Sequence, residues 1–291
     1  MMKYIYYYQE ISDDNLKMTT KKNLPYLLQL VDDDTLEVRN EILKELSKYG
    51  VTLENDIAEY SDILTEQKLN LIQPVIESNR RILLKKKWKT WFKISDENAK
   101  IEKALTLISC FHYGFLDVYE FPNMIDELSE EFLLKRRYGD ELDLANFLFQ
   151  EKGIKGAKEN YYNPFHSNPL YAIKQKRGLP ITLSLIYILV GGRLGFEIKG
   201  CNLPGHFLAK FQSDNDIILV DCFNGGRFFY EYDLEISIPQ SKREISEIIH
   251  EDPSAFTIMR RVLNNLIGAY SFINDSENHK LFSDLLKELP E

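Results

Sequence analysis

One segment in the middle of the chain constrains the fold more than any other. Residues 181–193 are almost entirely apolar, and Pro180 stands directly before them. Proline suits the first turn of a helix, because its missing N–H would have no partner there. A helix that is apolar on most sides is a buried one. We therefore expect a helix that starts near Pro180 and forms the centre of the core.

Four short segments of strand-like composition follow this helix. They are predicted over 196–203, 206–212, 217–223 and 227–232, and turn-forming residues separate them (Pro204-Gly205, Ser213-Asp214-Asn215 and Asn224-Gly225-Gly226). Because short turns join consecutive strands, we expect an antiparallel meander. The predicted fold class is α+β, with a buried helix packed on an antiparallel sheet.

Helical patterns flank this core on both sides. Residues 1–94 are predicted to hold a helical hairpin over 24–50, which resembles a single HEAT-type repeat, and a basic helix over 66–93. The lysines of the basic helix could mark a membrane or polyanion surface, but a solvated face around buried Leu84, Trp88 and Trp91 is favoured. The core domain is assigned to 95–250, and a helical hairpin to 251–291.

Composition excludes several functional classes. The chain has 291 residues and a net charge of −9, which argues against a broad nucleic-acid surface. No apolar run approaches the roughly 20 residues that span a bilayer. The irregularly spaced Cys110, Cys201 and Cys222 favour a reducing compartment. We expect a cytoplasmic protein without a metal, a cofactor or a membrane span.

A histidine and an aspartate on neighbouring predicted strands are the candidate chemical groups. His206 opens the second strand and Asp221 lies near the end of the third. Such a histidine can serve as base for a cysteine at a helix start, with the aspartate orienting it. A structural hydrogen bond that locks two strands is the alternative, and the residues alone leave both open. His112, in an apolar helix, is predicted to be a core residue.

Several motifs in order carry a family resemblance. They are Arg-Gly-Leu-Pro-Ile-Thr-Leu-Ser (177–184), Arg-Leu-Gly (193–195), Asn-Leu-Pro-Gly-His-Phe-Leu (202–208) and Asp-Cys-Phe-Asn-Gly-Gly (221–226). Together they resemble the SirB-type branch of the transglutaminase-like superfamily, most clearly over 141–229. A related module occurs in an F-box ubiquitin-ligase subunit. The final helices resemble the start of a tetratricopeptide region, and Cys222 departs from the proline that is usual at its position.

The resemblance implies roles for individual positions. The active-site cysteine of such enzymes matches Pro180, fifteen residues before Gly195, while their histidine and aspartate match His206 and Asp221. Proline has no nucleophilic atom, so the triad is degenerate. The candidate binding residues are Asn202, Ser184, Tyr162, Asn168, His166 and Cys201.

Three functional hypotheses follow. The first is a non-catalytic binding or regulatory protein whose ligand is an unidentified protein partner or a small polar molecule. The second is a cysteine-type hydrolase or acyltransferase that uses Cys201 or, less readily, Cys222 with His206 and Asp221. The third is a structural interaction module whose helical ends form the contact surface.

Overall fold

A computed structural model of the chain describes residues 23–213, 216–233 and 242–290. The chain divides into two compact units, Met1–Asn79 and Arg80–Glu291. In the first unit, α1 (Leu24–Leu30), α2 (Leu36–Ser47), α3 (Leu53–Ala58) and the first part of α4 (Glu66–Lys87) enclose a small core of their own. Helices α1 and α2 lie within the range 24–50 of the predicted helical hairpin.

The second unit contains most of the helices and the main sheet. Its helices are α5 (Glu97–Tyr113), α6 (Glu120–Lys135), α7 (Glu141–Asn146), α8 (Pro169–Gln175), α9 (Pro180–Leu194), α10 (Lys242–His250), α11 (Ala255–Phe272) and α12 (Ser276–Lys287). Short 3₁₀ turns at Trp88–Trp91 and Pro164–Ser167 and a π-helical turn at Phe147–Glu151 connect some of them. The fold is α+β, as the sequence predicts, with a buried helix packed on an antiparallel sheet and helical extensions around them.

Helix α9 is the buried helix that the sequence predicts. Pro180 occupies its first turn, and it ends at Gly195, whose φ of 83° places it in the left-handed region that glycine adopts at low cost. Gly191 allows close packing inside the helix, because a Cβ there would lie 2.5 Å from Ile198 Cδ1. Each fully buried Leu or Ile of α9 contributes about 1.5–3 kcal/mol of burial free energy, so this helix anchors the core.

The main sheet is the predicted antiparallel meander. Its strands β3 (Lys199–Cys201), β4 (Leu208–Ser213), β5 (Asp216–Asp221) and β6 (Arg227–Tyr230) follow one another in sheet order. Ala209 pairs with Val220, and Asp221 pairs with Arg227. Because successive side chains alternate between the faces, Ala209 and Val220 join the core of α9, while Leu208 and Leu219 pack beside α10.

The structure corrects several local predictions. All four strands are shorter than predicted, and His206 lies in the turn before β4 instead of on the strand, since its N–H donates to Leu203 O across the Pro204-Gly205 turn. Helix α10 was not predicted. A two-stranded parallel sheet of β1 (Lys155–Gly156) and β2 (Arg177–Gly178) was also missed, because two-residue strands carry no periodicity.

The extensions of the second unit share its main core. Leu84, Trp88 and Trp91 are fully buried, as the solvated-face interpretation of the basic helix predicts, and Trp88 Nε1 donates to Leu285 O at 3.2 Å. Helices α11 and α12 form the predicted C-terminal hairpin and contribute Val262, Leu266 and Leu285 to the same core. The division at residues 94 and 250 stays a prediction.

A matched pair of glycine substitutions tests how tightly the sheet end is built. A Cβ at Gly156 would lie 2.6 Å from the carbonyl oxygen of Phe223, whereas one at Gly268, in α11, would meet no atom within 4 Å. We expect Gly156→Ala to lower the free energy of unfolding by about 1–3 kcal/mol. Gly268→Ala should raise it by up to about 1 kcal/mol, because alanine is the better helix former. Urea denaturation measures both, and equal effects would contradict this packing.

Candidate functional site

The His206–Asp221 pair stands at the end of the main sheet. His206 Nε2 lies 3.1 Å from Asp221 Oδ1, although the ring N–H is not well directed along that line. The two side chains are 32% and 15% exposed. The aspartate thus faces one ring nitrogen of the histidine and leaves the other, Nδ1, for a ligand or a reacting group.

The turn after β5 fixes the position of the carboxylate. Burial by itself would raise the pKa of Asp221, but contacts from His206 and Asn224 outweigh it and hold that pKa below its usual value. Asn224 donates to Asp221 through its backbone N–H at 3.1 Å and its side-chain amide at 2.8 Å. Gly225 and Gly226 have φ of 82° and 74°, which glycine tolerates best. Asp221 is therefore ionised at neutral pH, and the Asn-Gly-Gly sequence serves to hold it.

Arg261 holds the loop that carries His206. From α11, its guanidinium donates to Asn202 Oδ1 at 2.5 Å and to Leu203 O at 2.8 Å, and it lies 5.6 Å from the centre of the Phe207 ring. Asn202, a predicted binding residue, is thus engaged by the protein itself. Sequence analysis missed Arg261, because nothing in the Met-Arg-Arg segment distinguishes it from a surface arginine.

The start of α9 lies beside the start of β4. Ser184, one turn after Pro180, is fully buried and has its hydroxyl 3.5 Å from the carbonyl oxygen of Phe207, the neighbour of His206. It also contacts the thiol of Cys222. Ser184 therefore packs between helix and sheet and does not line an open cleft, whereas Pro180, one turn earlier in the helix, is half-buried.

Buried polar groups without partners surround this helix start. His166 Nδ1, Ser167 Oγ and Thr182 Oγ1 are shielded from solvent and have no hydrogen-bond partner among the described residues. The carbonyl of His166 accepts from Leu179 N at 3.0 Å, which brings the 164–167 turn against the helix. Burial lowers the pKa of His166, so its ring is neutral at pH 7. No side chain caps α9. Unpaired buried groups of this kind are costly and call for an occupant.

The two cysteines near the sheet lie in different environments. Cys201 packs with Leu208 and Leu219 on the face beside α10, and burial raises its pKa to about 11. Cys222 lies in the core beside α9, where burial raises its pKa far above the usual value. Within the described residues, neither sulfur forms a hydrogen bond with His206. Both are neutral thiols at pH 7, which is the unreactive form.

The remaining predicted binding residues make contacts within the protein. Asn168 is fully buried and caps α8 by accepting from Tyr171 N, while its amide donates to His112 Nδ1 at 2.9 Å. Tyr162 is 50% exposed and stacks on Phe272. His112 also contacts the hydroxyl of Tyr270 at 2.9 Å, as expected of a satisfied core histidine. Of the predicted set, Ser184 and His166 lie near the start of α9, and Asn202 belongs to the loop that carries His206.

The described residues set two further limits. They contain no group of three or more His, Cys, Asp or Glu side chains arranged to hold a metal ion. Among the described helices, none has both the length and the apolarity to cross a membrane.

Comparison with known proteins extends this description. Residues 120–264 match the family model described as Transglutaminase-like superfamily. A UPF0162 protein of Xylella fastidiosa strain 9a5c is 29% identical over 220 residues, which are 70% of this chain and 76% of that protein. The UPF0162 protein of strain Temecula1 is 30% identical over 63% of this chain and 69% of its own length. Mouse F-box only protein 21 is 24% identical over 50% of this chain and 24% of its own. No solved structure matches.

The half-buried His112 predicts a distinctive pH dependence of stability. Burial, together with the charge of Arg80, lowers its pKa from 6.5 to about 3. Between these values the unfolded chain binds a proton that the folded chain does not, so stability falls as the pH falls. From pH 7 to pH 5 we expect His112 to account for a loss of about 2 kcal/mol.

Urea denaturation of the wild type and of His112→Gln at both pH values isolates this contribution. The variant has lower stability at pH 7, because Asn168 and Tyr270 lose their ring partner, but it should lose less on acidification. His166 and the carboxylates titrate in both proteins and cancel in the comparison. An equal loss of unfolding free energy between pH 7 and pH 5 in the two proteins would show that the folded protein does not hold His112 in its neutral form.

Proposed function

We propose that this chain, which belongs to the UPF0162 family and carries a transglutaminase-like superfamily domain, is a binding protein that does not catalyse acyl transfer. One observation carries the proposal. Pro180 occupies the start of α9, at the position that the motif resemblance assigns to the cysteine that would use His206 as its base. The histidine and its ionised aspartate are kept, but the atom they would activate is absent.

The chemistry of a thioester route supports this proposal. Acyl transfer needs a nucleophile whose proton the histidine removes, and proline offers none. Cys201 and Cys222 are neutral thiols in apolar clusters, and Ser184 is buried between helix and sheet. No described contact favours any of them as a substitute, so we do not propose the hydrolase alternative.

The groups around the helix start favour a small oxyanion as the ligand. The uncapped N-terminus of α9 carries a partial positive charge, which favours anions. Thr182 Oγ1 belongs to the first turn, and side chains in a helix lean toward its N-terminus. Together with Ser167 Oγ, it can donate hydrogen bonds to a carboxylate or a phosphate. A side chain or chain end of a protein partner would supply the same chemistry.

The proposal also includes the family branch, the nature of the C-terminal helices, the regulatory role and the cellular location. The motifs at 177–184 and 221–226 support the SirB-type branch, and the α11–α12 hairpin supports the beginning of a tetratricopeptide-like extension. With Pro180 in the nucleophile position, the protein acts as a regulatory pseudoenzyme. The three cysteines form no disulfide bond, which is consistent with a cytoplasmic location.

A titration tests oxyanion binding at the start of α9. Sodium acetate and sodium phosphate are added separately to protein carrying ¹³C-labelled histidine, at constant pH and ionic strength, and the ring signals of His206 are followed by NMR. We expect a saturable shift with at least one anion. Thr182→Val, which keeps the shape and removes the hydroxyl, should weaken that affinity about tenfold through the loss of one charge-assisted hydrogen bond.

Thr106→Val is the matched control, because the Thr106 hydroxyl donates to Glu102 O inside α5, away from the histidine loop. It should leave the affinity unchanged. The two anions distinguish a carboxylate ligand from a phosphate ligand. The absence of a saturable shift with either, or an affinity that Thr182→Val leaves unaltered, would show that the unpaired groups hold only water.

A further inference from the structure

A second cavity lies in the helical half of the core unit. It has a volume of about 220 Å³ and is bordered by the last turns of α5, the connection over 114–118 and the first turn of α6, with Leu170 of α8 as an apolar wall. None of the residues proposed above to bind an oxyanion borders this cavity, so it is a separate feature of the fold.

The threonine and serine hydroxyls that border this cavity can only accept hydrogen bonds from a ligand. Thr106 Oγ1 donates to Glu102 O at 2.8 Å, and Ser109 Oγ donates to Asn168 Oδ1 at 3.1 Å. Each hydroxyl has one proton, and here that proton is already engaged within the protein. Their remaining lone pairs are acceptors, and a matching ligand must therefore bring a donor.

The two charged residues that line the cavity, Asp117 and Glu120, are both acidic. Lys174 pairs with Glu120 from beside the cavity, which leaves Asp117 as the carboxylate without a paired cation in the lining. The cavity also lies against the C-terminal turn of α5, where the helix dipole favours cations. Oδ1 of Asp117 accepts a hydrogen bond from Tyr119 N at 2.9 Å. The carboxylate has further lone pairs that can accept hydrogen bonds from a ligand.

An ammonium group of the chain itself already rests at this wall. Lys174 Nζ pairs with Glu120 and lies 5.1 Å from the centre of the Tyr113 ring. A carboxylate and an aromatic face are the two groups that bind alkylammonium ions. The same side of the cavity therefore has the chemistry of an ammonium site, and Asp117 offers a second carboxylate there.

Cys110 and Leu170 supply an apolar part of the cavity wall. Cys110 is buried, and burial raises the pKa of its thiol to about 12, so the thiol is neutral at pH 7. An alkyl group fits against this neutral thiol and Leu170.

From this arrangement we propose that the cavity is a binding site for a small primary alkylamine, whose ammonium group contacts Asp117 and whose alkyl chain lies between Cys110 and Leu170. The volume suits a chain of about four to six heavy atoms, at roughly 30 Å³ of space for each small group. Nothing in this proposal depends on His206, Asp221 or the start of α9.

Three probes of equal shape test the proposal. n-Butylamine carries an ammonium group, 1-butanol a neutral donor and methyl propyl ether no donor. Saturation-transfer NMR, which detects weak ligands, should show saturable binding of n-butylamine at pH 7, binding of 1-butanol at least fivefold weaker, and the weakest binding for the ether.

Two variants locate the site. Asp117→Asn keeps the oxygen that accepts from Tyr119 N and removes the charge, so it should weaken n-butylamine about tenfold and leave 1-butanol unchanged. Thr106→Leu places a longer side chain in the cavity and should abolish both. Glu130→Gln, an exposed change on α6 outside the cavity, is the matched control and should alter neither.

Several outcomes would overturn the proposal. They are the absence of saturable n-butylamine binding, equal affinity for n-butylamine and 1-butanol, and an affinity that Asp117→Asn and Glu130→Gln reduce equally. Circular dichroism shows whether Thr106→Leu folds, and Asp117→Asn decides alone if it does not. The acetate and phosphate titration of His206 is independent, so failure of one proposal is distinguishable from failure of the other.

Discussion

The packing of α9 against the first residues of β4 positions every part of the candidate site. Ser184 meets Phe207 at this contact, and His206 is the next residue along the chain. Because α9 is buried on nearly all sides, it can shift little relative to the sheet, and its first turn stays beside the histidine loop. The Asp221 turn and Arg261 then fix that loop from two other directions. The site is therefore built from rigid elements even though His206 itself lies in a turn.

This rigidity keeps His206 and Asp221 in position through contacts that do not involve a nucleophile. Asp221 is held by Asn224 as well as by His206, so its carboxylate has a structural role in closing the turn after β5. His206 is the less constrained of the two, with a third of its side chain exposed. A structural aspartate beside an accessible histidine suits recognition of a ligand, since one ring nitrogen is oriented and the other is available.

Much of the fold was predictable because its signals are local. The apolar stretch after Pro180 predicts α9, and the Pro-Gly and Asn-Gly-Gly turns predict an antiparallel meander. The motifs of the resemblance place His206 and Asp221 together at the sheet end, which the structure brings within 3.1 Å. These features depend on residues close in sequence or on a pattern that extends over several motifs.

The remaining features depend on contacts between distant segments. Arg261 reaches Asn202 from a helix 59 residues away, and β1 and β2 are too short to leave a pattern. Ser184 was predicted to be a binding residue, but helix geometry alone does not say that Phe207 and Cys222 cover it. The unpaired groups of His166, Ser167 and Thr182 and the cavity beside α5 arise only when the elements pack, and no single segment encodes them.

The central claim is that position 180 is the nucleophile position, and the most direct test is to place a cysteine there. In Pro180→Cys, the helix N-terminus and His206 should lower the pKa of the introduced thiol below the usual value of about 8.5. Iodoacetamide at pH 6 should then label that thiol about tenfold faster than the one introduced by Glu130→Cys, an exposed control, and His206→Ala should remove the advantage. Equal labelling rates in the two single variants, or labelling of a wild-type cysteine that depends on His206, would contradict the account.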